Sequence, residues 1–251
     1  MMFKVGITER GDGGLEIEKV LDALYEEQVD AAIIITKNPT LLLAHDLPPN
    51  TIIHCTITGF GGTTVELKVP NSKITLPAYE ELVKKYGGER VVLRVDPIFD
   101  DVRSITFAKH AAKRAIGRFR ISFFDAYPHS KMRLGKWSHL FKTQPHFHLP
   151  TTRRIEILKE LEKLRTTSML GFKKGVEICG EPGMVCTGCV SERDLAAMNL
   201  MPQFRDFKAK AGQREACECL AIKTELLTEA KPCEFGCLYC YWKDKRELKE
   251  R

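Results

Sequence analysis

Nine cysteines stand among the 251 residues, and eight of them lie at or after position 179. Near the C-terminal end, Cys233-Glu-Phe-Gly-Cys237-Leu-Tyr-Cys240 spaces three thiols by three and then two residues. Three thiolates so placed can wrap a short loop round one iron–sulfur cube. A fourth would saturate it; three leave one iron open to a small chelating ligand. Upstream, Cys179, Cys186, Cys189, Cys217 and Cys219 include two close pairs, Cys186-Thr-Gly-Cys189 and Cys217-Glu-Cys219. Their spacing suits a zinc ion or a second iron–sulfur cluster. An isolated cysteine is ordinarily a small buried hydrophobe, but five in a short stretch, among glycines and charges, fit that description poorly. The odd and lopsided count argues against a disulfide framework.

These thiols need elements to hold them. Runs rich in β-branched residues predict strands at Phe3–Thr8, Ala31–Thr36, Thr51–Thr58, Arg90–Asp96, Arg118–Phe124, Gly175–Cys179 and Leu220–Leu227. The runs are nearly continuous in apolar residues, as in parallel strands covered on both faces. Helical spacing lies between them at Glu16–Gln28, Leu76–Tyr86, Val102–Ile116 and Thr152–Ser168. Such alternation predicts an α/β fold with a parallel sheet, open or closed into a barrel.

Polar residues collect where the strands stop, the place where parallel α/β folds carry their sites. Glu9, Lys37, Asn38, Arg94, Asp96 and Asp125 all stand at such ends. Glu9, Asn38, Arg94 and Asp96 serve either as cofactor-binding candidates or as structural salt bridges round the strand ends. From Phe124 to Pro150 runs a long connection that mixes Trp137, Phe141 and Phe147 with His129, His139, His146, His148 and several cations. Tyr127, Lys131, Arg133 and Trp137, with Lys37 and Asp125, are the candidates for substrate contact. Aromatics interleaved with cations suit stacking on bases and pairing with phosphates. His146 and His148 are either metal ligands or plain surface residues.

Apolar residues make up 43% of the chain and charged residues 29%, which excludes wholesale disorder. No stretch approaches the ~18–20 apolar residues of a membrane span, and the N-terminus lacks a signal-peptide layout. A cytoplasmic protein with no membrane partner is expected. Charge is uneven: residues 103–174 hold 17 Lys and Arg against 4 Asp and Glu, whereas the remainder holds 22 against 29. A basic middle on an acidic frame suggests either an anionic partner, such as DNA, RNA or a nucleotide, or a solvated basic face.

Pro232 to Trp242 (PCEFGCLYCYW), Ala31 to Pro39, Thr56 to Phe60, Glu89 to Pro97, Arg120 to Asp125 and the Cys217–Cys219 pair together resemble a known family. Its members are often labelled DNA-repair photolyases and are related to spore photoproduct lyase in the radical S-adenosylmethionine superfamily. The resemblance covers nearly the whole chain. It implies that Cys233, Cys237 and Cys240 bind a catalytic 4Fe–4S cluster and that Tyr239 lies near the adenine of S-adenosylmethionine. Cys179, Cys189, Cys217 and Cys219 match family cysteines and form a ligand set for a second cluster; Cys186 has no counterpart and is an extra thiol or an alternative ligand. The chain departs from the family after the first strand, with Glu9-Arg-Gly-Asp12 where members often have Arg-Arg-Thr-Asp.

Most of that superfamily carries its cluster motif early. Here it comes late, which implies a circularly permuted, partial (β/α) TIM-like barrel whose strand at Leu220–Leu227 lies beside Phe3–Thr8. Residues 1–180 would form the barrel core, with a basic aromatic loop at about 125–150, and residues 181–251 a Cys-rich region completing it. The implied activity is a radical enzyme acting on a nucleic acid base or nucleotide, with flavodoxin or ferredoxin as electron donor. Tyr127, Tyr241 and Cys55 are either hydrogen relays or packing residues. Two alternatives stand beside this reading. One is a radical enzyme for a peptide or a small anionic metabolite; the other is a non-catalytic zinc or iron–sulfur module that binds nucleic acid.

Overall fold

The computed structural model describes residues 4–26, 28–125, 128–135, 149–166, 175–179, 187–200, 218–220, 223–228 and 233–242. Seven strands, β1 (Val5–Ile7), β2 (Ala31–Thr36), β3 (Thr51–Thr56), β4 (Val91–Ile98), β5 (Arg118–Phe123), β6 (Val176–Ile178) and β7 (Thr224–Glu225), form one sheet. Its order is β6-β5-β4-β3-β2-β1-β7, and every pairing is parallel. The Cys-rich segment therefore contributes a strand to the same sheet. Gly6 pairs with Thr224 and Ile7 with Glu225, which sets β7 beside β1 as expected. This strand is far shorter than the apolar run suggests, because the Leu220 N–H bonds the carbonyl of Val190 instead of a ladder partner.

Helices fill the crossovers: α1 (Ile17–Tyr25), α2 (Ser72–Tyr86), α3 (Val102–Arg114), α4 (Pro128–Gly135), α5 (Thr151–Thr166) and α6 (Glu192–Ala197). Side chains set two of their starts. The Asn71 side chain accepts the Lys73 N–H, so α2 begins four residues before the apolar spacing does. Asp101 accepts the N–H groups of Arg103 and Ser104 and opens α3. Within the expected long connection, α4 is a helix; residues 136–148, with Trp137, His139, His146 and His148, lie outside the described residues. Among the described residues, no helix is long and apolar enough to cross a membrane.

The strands alternate between two buried faces. On one, Ile34, Ile53, Leu93 and Ile121 pack with Leu76, Leu82, Ala108, Ile157 and Leu161. Burying each such aliphatic side chain is worth ~1.5–3 kcal/mol, so this layer dominates stability. Cys55 belongs to it, fully buried, which makes it a packing residue turned away from the polar face. The opposite face packs Val5, Ile33, Ile52 and Val92 against Val190, Leu195 and Leu220. A third cluster caps the strand ends, where Phe60, Val65, Phe99, Phe124 and Leu134 enclose Phe235, Cys237 and Tyr239.

Candidate metal centre

Alternation along β3 to β6 puts His54, Arg94, Arg118, Arg120 and Glu177 on the face opposite α1, α2, α3 and α5. Asp194 of α6 meets them there. Arg118 forms a bidentate pair with Glu177, at 2.7 and 2.9 Å, and reaches Asp194 at 2.8 Å. Arg120 bonds Glu177 at 2.5 Å and Asp194 at 3.0 Å. His54 Nε2 lies 3.2 Å from Asp194 Oδ1. Burial pushes the His54 imidazole down to about 4, against the pull of Asp194. Burial opposes ionisation of Asp194 as well, yet Arg120, His54 and Arg118 hold it well below the usual carboxylate range. The two guanidiniums and two carboxylates thus balance in a dry interior.

This network frames a thiol group. Arg120 donates to the Cys189 carbonyl at 2.7 Å, and Asp194 accepts the Ser191 N–H at 2.9 Å. Thr187 N–H bonds the Ile178 carbonyl and Leu220 N–H that of Val190, so three separate segments are laced together. Gly188, at φ +75°, permits the approach: a Cβ there would stand 2.7 Å from the Glu218 carbonyl oxygen. The sulfurs of Cys179, Cys189 and Cys219 consequently all lie within 4.8 Å of one another. Cys189 and Cys219 approach to 2.9 Å, and the Cys189 N–H donates to the Cys219 sulfur at 3.2 Å. None of the three is in a disulfide, and three such neighbours can hold a metal. Sequence spacing had pointed to both pairs; Cys186 and Cys217 lie outside the described residues.

The loop carrying Cys233, Cys237 and Cys240 follows β7. Gly236, at φ +57°, turns it, and Leu238 N–H bonds the Val65 carbonyl. Arg133 of α4 clamps it further: its guanidinium donates to the Leu238 carbonyl at 2.9 Å and also to that of Cys240. Among the described residues, these three thiols are not drawn to within the 4.8 Å that gathers the other trio. Cys237 is buried and its thiol is pushed up by burial, an effect that the Lys37 ammonium counters. Lys37 donates to Glu66 at 2.8 Å and to the Tyr239 hydroxyl at 2.5 Å, and Tyr239 donates in turn to Glu66. Thr58 completes the set with a 2.7 Å bond to Glu66. Burial alone would depress Lys37, but Glu66, Cys237 and Asp96 keep its ammonium above the ordinary value. Glu66 is a member that sequence reading missed, because it lies in an irregular segment without a motif.

Between the thiol groups stand two ion pairs, Arg94 with Asp96 and Glu9 with Lys223, the latter 2.7 Å to each carboxylate oxygen. Arg94 feels the charge of both Asp96 and the cysteines Cys189 and Cys179. Lys223 feels Glu9, Cys189 and Cys219. Asn38 serves the backbone, accepting from the Thr40 hydroxyl while its own N–H bonds Thr36 Oγ1. Asp125 faces Arg154 of α5 at 3.7 Å, and Arg133 holds the cysteine loop, so both have internal partners. Tyr241 stacks on Phe124. Tyr127 and Trp137 lie outside the described residues, as does the side chain of Lys131.

The basic middle is partly consumed inside the fold. Arg118, Arg120, Arg154 and Arg165 are buried; Arg165 donates to the carbonyls of Ala115 and Gly117, and Arg154 to that of Leu149. That charge holds backbone and carboxylates in place and does not reach a partner.

No curated protein and no solved structure matches the chain. Residues 16–242, which take in both thiol groups and every strand but β1, match the family described as Domain of unknown function (DUF1848), and the chain belongs to it.

Proposed function

We propose that the protein is a radical S-adenosylmethionine enzyme whose Cys233, Cys237 and Cys240 hold a 4Fe–4S cluster. One observation carries the reading: the loop with these thiols leaves a strand paired in parallel with β1, and its Tyr239 meets Lys37, just past the carboxyl end of β2, and Glu66. The residues suit the group. Three thiols on one turn leave an open position, Cys237 is shielded from water, and Lys37 offsets thiolate charge beside it. When bound, such a cluster supplies the electron that cleaves S-adenosylmethionine to a carbon radical.

The protein's share is placement. Arg133 fixes the loop carbonyls, and Lys37, Glu66 and Tyr239 lock the floor beneath Cys237. Arg94 with Asp96 and Glu9 with Lys223 offer both signs of charge, which suits a ligand bearing an amine and a carboxylate. Within this reading the all-parallel sheet is a circularly permuted partial barrel. The substrate is a nucleic acid base or nucleotide, suggested by the basic balance of residues 103–174, and a flavodoxin or ferredoxin supplies electrons in the cytoplasm.

Anaerobic reconstitution, reduction and addition of S-adenosylmethionine test it. The expected result is 5′-deoxyadenosine from the full chain and none from Cys237→Ala. Absence of both iron and cleavage in the unsubstituted protein would overturn the reading in favour of a metal-binding module.

A further inference from the structure

The trio Cys179, Cys189 and Cys219 differs in geometry from the loop trio, and the difference bears on what it binds. With a metal–sulfur bond of ~2.3 Å, two thiolates on one ion stand about 3.8 Å apart at the tetrahedral angle and at most about 4.6 Å. In a cube each cysteine takes its own iron and points away from the centre, so the sulfurs stand wider than one ion permits. Cys179, Cys189 and Cys219 already lie within 4.8 Å of one another, with Cys189 and Cys219 at 2.9 Å. That is tighter than the ligands of a cube stand, and a single ion would part the closest pair to the spacing it needs.

The surroundings are built for negative charge. The Cys189 N–H points at the Cys219 sulfur, and the cations of Arg94 and Lys223 stand close enough to feel these cysteines. Arg120, itself fixed by Glu177 and Asp194, grips the Cys189 carbonyl, the kind of outer support that orients metal ligands. Soft thiolates suit zinc or iron–sulfur centres, and the close spacing of this trio favours a single ion over a cube. Position adds a purpose. Cys179 directly follows β6, and Cys219 lies five residues before β7, the two ends of the sheet order.

We propose that Cys179, Cys189 and Cys219 bind one zinc ion, its fourth corner open among the described residues, and that this ion ties β6 to β7 across the open side of the sheet. The inference does not depend on the radical-enzyme reading, and its test keeps the two apart. The full chain carrying Cys233→Ala, Cys237→Ala and Cys240→Ala is expected to retain about one zinc per chain and no inorganic sulfide. Adding Cys189→Ser to it should cut zinc content about tenfold. In the unsubstituted chain, zinc K-edge absorption should show sulfur neighbours near ~2.3 Å, a readout that needs no variant. Iron and sulfide in the triple variant would overturn the proposal in favour of a second cluster. Two missing thiols with no metal would overturn it in favour of a Cys189–Cys219 disulfide.

Discussion

At Glu225 the backbone and the electrostatics pull in opposite directions. Its carboxylate accepts the N–H groups of Glu9 and Arg10, at 3.0 Å each, and of Leu227 at 3.1 Å. Burial nevertheless raises its pKa to about 7, with Glu9 adding to the shift. Because an unfolded glutamate titrates near ~4.3, the folded chain binds the extra proton between those values. Stability is therefore full below about pH 4 from this group and falls as pH rises through 7. The urea midpoint should drop between pH 5 and pH 8, and Glu225→Gln should flatten that slope; an unchanged slope would refute the assignment. Asp194 makes a sharper case. Asp194→Ala strands two buried guanidiniums and should cost about 3–5 kcal/mol in denaturant unfolding, whereas Asp194→Asn, which keeps hydrogen-bonding capacity, should cost less. A loss under about 1 kcal/mol from the alanine variant would show the network to be dispensable.

Elements were legible wherever burial is uniform. Ala31–Thr36 and the start of β5 at Arg118 fall where their apolar runs put them, since parallel strands buried on both faces advertise themselves. Helices α4 and α6 were not legible: each is short, and their sequences, PHSKMRLG and ERDLAA, show no sustained apolar period. Arg118 and Arg120 were counted as partner-seeking charge for a related reason. Their carboxylates, Glu177 and Asp194, lie 57 to 76 residues further on, beyond any local pattern. The cysteine spacings, by contrast, pointed to Cys189 and Cys219, which do converge, and Cys179 joins them from outside either pair. The clamp from α4 gives a prediction at this scale. Arg133→Ala removes both anchors of the Leu238–Cys240 turn, so iron retained after reconstitution should fall severalfold while the far-ultraviolet circular dichroism stays unchanged. Equal iron content in the two proteins would mean that the loop holds its own shape.

For the molecule as a whole, the question is how a sheet with two ends is kept from fraying. β2 to β5 sit between neighbours, but among the described residues β6 has one partner strand, and β7 contributes only Thr224 and Glu225 to its ladder. Local opening concentrates where the backbone has few buried partners. If the Cys179–Cys189–Cys219 ion joins the ends, a chelator should speed amide exchange in β6 and β7 at least tenfold and leave β2 to β5 protected. Uniform acceleration would instead mean that the ion supports the whole fold. The pairing of β1 with β7 bears on how the proposed cluster would be loaded. Glu9 and Glu225 meet across a sequence separation of 216, one of the largest chain closures available to this fold. Closures of that span come late. If the loop docks only after that closure, its thiols face solvent until then, open to a donor and equally to oxidants. Under the proposed reading, cluster delivery and chain closure become competing clocks, and the yield of loaded protein depends on which one strikes first.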